Sequence, residues 1–201
     1  MAIAYLGPAA DLDQVSSPNR SAGLPAGPGD LLPRPIGPRR RVDFLAIAEG
    51  FAVSAPAIPE LQGLTERTWI LLAVTDLFEA WAIGWPPGGA IELHDHGQSG
   101  GAVVVASGAL VESTVRASPR GVALIGNNYI AAGQHRRFGP GYVHDLNNEG
   151  DEQAFSVHVY GPRLATMTYY ELDGRGRLEA VRTEDVEPLG PFDTTSDHDP
   201  A

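Results

Sequence analysis

The chain has 201 residues with 43% hydrophobic and only 19% charged side chains, 24 glycines, 17 prolines and a net charge of -11 at a sequence pI near 4.8. An acidic balance argues against nucleic acid or an anionic membrane as the main partner. The absence of cysteine excludes disulfides, thiolate metal sites and cysteine nucleophiles, so any metal must be held by His, Asp or Glu. All 14 basic residues are arginine, a bias that a GC-rich genome produces and that carries no functional reading.

The N-terminus, MAIAYLGPAADLDQ, lacks a basic stretch followed by an apolar one and does not read as a signal peptide. No apolar run approaches the length of a membrane span. The expectation is a cytoplasmic protein. Residues 1 to 38, with LPAGPGDLLPRPIGP, have too few apolar side chains to bury and read as a flexible arm. The cluster Arg39, Arg40, Arg41 reads as a solvated helix start. In VDFLAIAEGFAVS the apolar residues Val42, Leu45, Ala46 and Phe51 recur at helical spacing, and Pro56 and Pro59 stop the pattern. One or two short helices are expected between about residues 40 and 65.

From Thr68 the pattern changes to short β-branched or aromatic runs: WILLAV, FEAWAIGW, AIELHDH, GAVVVASGALVES, GVALIG, NNYIAA, QHRRFG, YVHDLNN, QAFSVHVYG and ATMTYYEL. Turns such as PPGG, GQSGG, ASPRG and NNEGDE separate them, and DGRGR suggests a late hairpin. Many short strands with Gly/Pro turns read as an all-β sandwich or barrel. Residues 39 to 186 form the expected domain, and the acidic end, residues 187 to 201, reads as a disordered tail.

His94-Asp95-His96 is the sharpest local feature. On a strand, residues two apart share a face, so both imidazoles can point inward while Asp95 points away. His144 follows 48 residues later, far enough to return on another strand. Three imidazoles on one side of a metal leave positions open for substrate and oxygen. A second row, Ser156, His158 and Tyr160, alternates along SVHVY and so shares a strand face. Such a row can hydrogen-bond in series, with His158 orienting the Tyr160 hydroxyl.

The spacing Gly88-(five)-His94-Asp95-His96-(four)-Gly101-(six)-Gly108 resembles the first motif of the cupin superfamily, with glycine where most metal cupins carry glutamate. Gly133-(six)-Pro140-Gly141-(two)-His144-(three)-Asn148 resembles the second, with one residue of slippage. The resemblance covers about residues 68 to 175 and implies a small cupin (jelly-roll-like) barrel. Glu92 and Glu112 are nearby in sequence but lie two residues before the first histidine and on the next strand. The expected site is therefore three neutral histidines on a divalent metal, a site that keeps its full +2 charge and favours an anionic donor such as a thiolate.

WPPGGAIELHDHGQSGG, FGPGYVHDLNN and SVHVYGP together resemble the thiol dioxygenases, the cysteine dioxygenase type I family, in its bacterial form. The resemblance implies ferrous iron held by His94, His96 and His144, an outer triad of Ser156, His158 and Tyr160, and addition of both atoms of O2 to a small thiol to give a sulfinic acid. It also implies that no cysteine–tyrosine crosslink forms, because Gly101 stands at the cysteine position. Family members hold a substrate carboxylate with an arginine. In cysteine-specific members it lies in the stretch that is RTWILLAVTDLFEAW here, which offers only Arg67 and puts Leu71 in the arginine slot. In mercaptopropionate-type members it falls nine residues after the triad tyrosine, where this chain has Tyr169; Arg163 is a further candidate. The thiol itself is left open. The alternatives are a three-histidine cupin enzyme for a non-thiol substrate and a non-catalytic small-molecule-binding cupin. A monomer or dimer is expected.

Overall fold

The computed structural model describes residues 42–117 and 122–186. The expected arm, arginine cluster and acidic tail lie outside the described residues.

Among the described residues, one α-helix, α1 (Phe44–Ala52), and two 3-10 turns (Ala55–Ala57 and Pro59–Leu61) precede eleven strands. Asp43 caps α1 by accepting a bond from the Ala46 amide at 3.4 Å. The prolines do not end α1 directly: Pro56 and Pro59 sit inside the 3-10 turns, where proline costs no backbone bond.

The strands are β1 (Thr68–Val74), β2 (Glu79–Trp85), β3 (Ala90–Asp95), β4 (Gly100–Ser107), β5 (Ala109–Ala117), β6 (Ala123–Ala131), β7 (His135–Phe138), β8 (Val143–Asn147), β9 (Ala154–Gly161), β10 (Thr166–Leu172) and β11 (Leu178–Asp185). They form two antiparallel sheets, ordered β1-β2-β9-β4-β7 and β11-β10-β3-β8-β5-β6. The run GAVVVASGALVES is two strands, not one. Gly108 adopts φ 71, which only glycine reaches cheaply, and a Cβ there would lie 2.8 Å from that of Ala154. The chain passes at that glycine from one sheet to the other. Conversely GVALIG and NNYIAA merge into the single strand β6, and DGRGR turns the β10–β11 hairpin.

Alternation explains the layers. In the five-stranded sheet, Ala80 and Ala82 of β2, Ala102 and Val104 of β4, and Val157 and Val159 of β9 face outward and pack under Leu45 and Ala48 of α1. Small side chains on the sheet let the helix approach, and each large one buried there adds about 1.5–3 kcal/mol. The opposite face looks into the barrel. Ile83, Trp85, Val105, Leu110, Ile130 and Leu146 form one buried cluster there, Val103, Phe138 and Tyr160 form another, and buried polar side chains including His94, His96, His144, Ser156 and His158 accompany them. Among the described residues no helix is long and apolar enough to cross a membrane.

Candidate metal centre

His94, near the end of β3, stands directly opposite His144 on β8, and His96 follows one residue past the end of β3. All three are buried, and their ligand-capable nitrogens lie within 4.8 Å of one another. Asp95 points to the other face. It accepts the Gly97 amide at 2.9 Å and the Tyr170 hydroxyl at 2.7 Å, which fixes the turn that carries His96. Asn148, the last residue of the second motif, donates to the carbonyls of Trp85 and Pro86 at 2.9 and 3.2 Å and so clamps the turn leading into β3.

The ring protons show whether a metal fits. His94 Nδ1 is 2.7 Å from the Glu92 carbonyl oxygen, which can only accept, so that nitrogen carries the proton and Nε2 is bare. His144 Nδ1 lies 2.9 Å from a Glu112 carboxylate oxygen, and its Nε2 is buried with no hydrogen-bond partner among the described residues. His94 Nε2 and His96 Nε2 approach to 3.1 Å. His94 Nε2 and His144 Nε2 thus offer buried lone pairs beside His96, and a divalent metal can take up such nitrogens. Burial holds His94 and His96 well below the ordinary imidazole range; His144 adds to it at His94, and His94 and His144 add to it at His96. They are therefore in the neutral form that metals bind. His94, His96 and His144 are the residues that could hold a metal.

Glu92 does not join this group; it pairs with Arg182 at 2.6 Å, partly exposed. Nor is there room for a carboxylate at position 101. A Cβ on Gly101 would meet the Val159 carbonyl oxygen at 2.0 Å and the Phe138 ring at 2.8 Å.

The second row forms on β9, on the opposite wall. Ser156 Oγ is 2.9 Å from His158 Nε2, and His158 Nδ1 is 3.1 Å from the Tyr160 hydroxyl. Trp85 extends it by one member, donating its indole N–H to Ser156 Oγ at 2.8 Å. The indole can only donate. Ser156 therefore accepts from Trp85 and has its own proton for His158 Nε2. Burial, with His144 and Arg67 nearby, pushes His158 down to about 3, so it is neutral and carries one proton. That proton sits on Nδ1 and goes to the Tyr160 oxygen. Burial, then the Glu79 charge, push the Tyr160 phenol above its usual value, so it stays protonated. Its hydrogen is left to point away from His158, and its ring lies 4.9 Å from that of His96. Tyr160 pairs across the sheet with Gly101.

The remaining candidates separate. Arg67 places its guanidinium 5.1 Å from the Trp69 ring and 5.5 Å from the Trp85 ring, and its charge reaches His94, His158, Tyr160 and Tyr169. Tyr169, fully buried, lies opposite His94 with rings 6.1 Å apart, and Arg182 stacks on it at 3.6 Å. Leu71 is half-buried on β1 opposite Trp81. Arg163 faces Glu79 at 3.6 Å. Burial raises the Glu79 carboxyl despite the donors around it.

Sequence reasoning passed over Glu112 and Trp85 as members of the site. Glu112 shares its strand face with the buried Leu110, and that neighbour is the one local signal that marks it as inward-facing. Glu112 loses by burial but gains more from His144, Tyr142 and Arg136, and ends below the usual carboxylate range.

An all-β double-sheet barrel that gathers three buried imidazoles from two paired strands of one sheet and the turn after the first of them is a cupin with a group that could hold a metal. The chain belongs to the cysteine dioxygenase type I family, whose model matches residues 61–173. Among solved structures it is similar to the protein TT1209 from Thermus thermophilus, at 22% identity and TM-score 0.39 over 53% of this chain and 88% of that one. A protein with a double-stranded β-helix domain from Klebsiella pneumoniae matches at 22% identity and TM-score 0.41 over 49% and 74% of the two chains. Oxalate oxidase in complex with the substrate analogue glycolate matches at 19% identity and TM-score 0.43, over 50% of this chain and 53% of that one. At such scores these likenesses carry nothing about the site.

Proposed function

We propose that the protein is an Fe(II)-dependent thiol dioxygenase that converts a small carboxylate-bearing thiol and O2 into a sulfinic acid, RSH + O2 → RSO2H. The observation that carries this reading is the Trp85–Ser156–His158–Tyr160 series standing against a three-imidazole group. A metal that only binds a small molecule has no need of a directed row of donors beside it. His94, His96 and His144 would hold the iron, which when bound would supply open positions for a thiolate and for oxygen and a path for the electrons that the thiol sulfur gives to O2.

The chain's own residues do the rest. Three neutral ligands leave the metal's double charge uncompensated, which favours binding of the thiol as its anion. Tyr160 presents its hydroxyl proton on the cavity side and stabilises negative charge developing there. His158, locked as an Nδ1 donor, keeps that hydroxyl from turning its proton back into the wall. Trp85 and Ser156 lock His158 in turn. Arg67 is the candidate partner for a substrate carboxylate, because its cation lies over Trp69 and Trp85 and is felt at His94 and Tyr160. Tyr169, beside His94, shapes the same wall. Leu71 adds apolar surface on β1, the strand that follows Arg67. Arg163 acts on the site through Glu79.

The test is oxygen uptake by the anaerobically Fe(II)-loaded protein with cysteine, 3-mercaptopropionate, cysteamine and bulkier thiols. Uptake matched by sulfinate, with the carboxylate-bearing thiols preferred, is the expected result. A panel that gives neither uptake nor sulfinate would sink the reading.

A further inference from the structure

Glu112 is a buried carboxylate in contact with one of the three imidazoles, and the proposed reaction leaves it without a part. It is 1% exposed. Oε1 accepts from His144 Nδ1 at 2.9 Å and from the Tyr142 hydroxyl at 3.1 Å. Oε2 faces Arg136 Nε at 3.3 Å and Asn128 Nδ2 at 3.5 Å. The other two imidazoles have no such partner: His94 Nδ1 meets the neutral Glu92 carbonyl, and His96 Nδ1 has no hydrogen bond among the described residues. The ligand set holds no carboxylate, and Gly101 leaves no space for one.

We propose that Glu112 is a positioning residue that delivers, through His144, the negative charge missing from the three-histidine ligand set, with Arg136 and Tyr142 controlling how much of it reaches the ring. The inference rests on a divalent metal at the three imidazoles and is independent of the substrate. A carboxylate accepting the Nδ1 proton pushes electron density into the imidazole and makes Nε2 a stronger donor. The oxidised metal gains more from this than the reduced one, so the potential falls. Arg136 and Tyr142 draw on the same carboxylate in competition with His144. Removing either donor strengthens the hold on the His144 proton, whereas removing the carboxylate charge weakens it. A residue serving only as a packing anchor has no reason to give shifts of opposite sign.

The experiment compares wild type with Glu112→Gln, Arg136→Gln and Tyr142→Phe in the full chain. Fe(II) affinity is measured anaerobically against a competing chelator, and the Fe(III)/Fe(II) midpoint potential by spectroelectrochemistry. Glu112→Gln should bind Fe(II) roughly ten- to a hundredfold more weakly and raise the potential. Arg136→Gln and Tyr142→Phe should lower the potential. Shifts of one sign in all three, or no shift in Glu112→Gln, overturn the inference. If Glu112→Gln does not fold, the two partly exposed positions decide: downward shifts sustain the inference, and unmoved or raised potentials overturn it. Wild type that binds no Fe(II) removes the metal reading and this inference together. A thiol panel without oxygen uptake, alongside the expected shifts, sinks only the substrate reading.

Discussion

The five-stranded sheet carries Ser156, His158 and Tyr160 on β9, and the six-stranded sheet carries His94 and His144 on β3 and β8. The first is covered on both faces, by α1 outside and by the second sheet inside, and β9 is buried along almost its whole length. The second exposes much of its outer surface, including Leu124, Ile125 and Tyr129 on the edge strand β6. The contrast shapes the chemistry. A polar row inside a doubly covered sheet has no water to turn to, so its members bond to one another in one direction. The imidazoles of the half-open sheet draw their outer partners from a carbonyl and from a carboxylate that reaches toward the partly exposed Arg136. One wall is locked, and the other is adjustable.

Substitutions on the two walls should therefore differ in kind. His144→Ala, on the adjustable wall, is expected to have the largest effect, a loss of iron affinity beyond about a hundredfold; metal analysis after dialysis measures it, and full retention would discard the ligand assignment. Tyr160→Phe, on the locked wall, should keep its iron and slow turnover by about a hundredfold. Single-turnover rates at equal iron content make the comparison, and an unchanged rate reduces the row to structure. Arg67→Gln should raise KM about tenfold or more for thiols with a carboxylate, equivalent to roughly 1.5–3 kcal/mol for a charged hydrogen bond, and leave cysteamine little affected. Equal effects on both would remove Arg67 from substrate binding.

The locked wall also sets how stability depends on pH. His158 folds with its pKa pushed from 6.5 to about 3, so across that window the unfolded chain takes up a proton that the folded chain refuses. Stability is full above about pH 6.5 and falls as pH drops toward 3, by up to about 1.4 kcal/mol per pH unit for this group. Buried His94 and His96 act in the same direction in metal-free protein. Urea midpoints against pH should be less steep in His158→Gln; parallel curves would count against a buried neutral His158.

The strand runs, the late hairpin and the three imidazoles were legible because each rests on local spacing: HxH puts two rings on one face, and turn residues mark strand ends. The break at Gly108 was legible only in part: the first motif ends on that glycine, but GAVVVASGALVES shows no cluster of turn residues there and reads as one run. Glu112 was missed for a related reason. Its partners His144, Tyr142 and Arg136 lie 24 to 32 residues away, and only the β5–β8 pairing brings the first of these beside it. Arg67 and Leu71 were separable only by structure. Both precede the WPPG turn on one stretch, but the β1–β2 register pairs Thr68 with Gly84, which brings Arg67 beside Trp85, and sets Leu71 opposite Trp81.

Trp85 offers its face to Arg67 and its N–H to Ser156. A single rigid ring is thus common property of the side chain proposed to recognise the substrate and the row proposed to handle its oxidation. Evolving the enzyme toward a neutral thiol by replacing Arg67 would free the indole to shift and loosen the row at its first link. Changes at positions 67 and 156 should then show epistasis, with the combined loss smaller than the product of the two, although no bond joins the residues directly. Specificity and turnover in this barrel are inherited together.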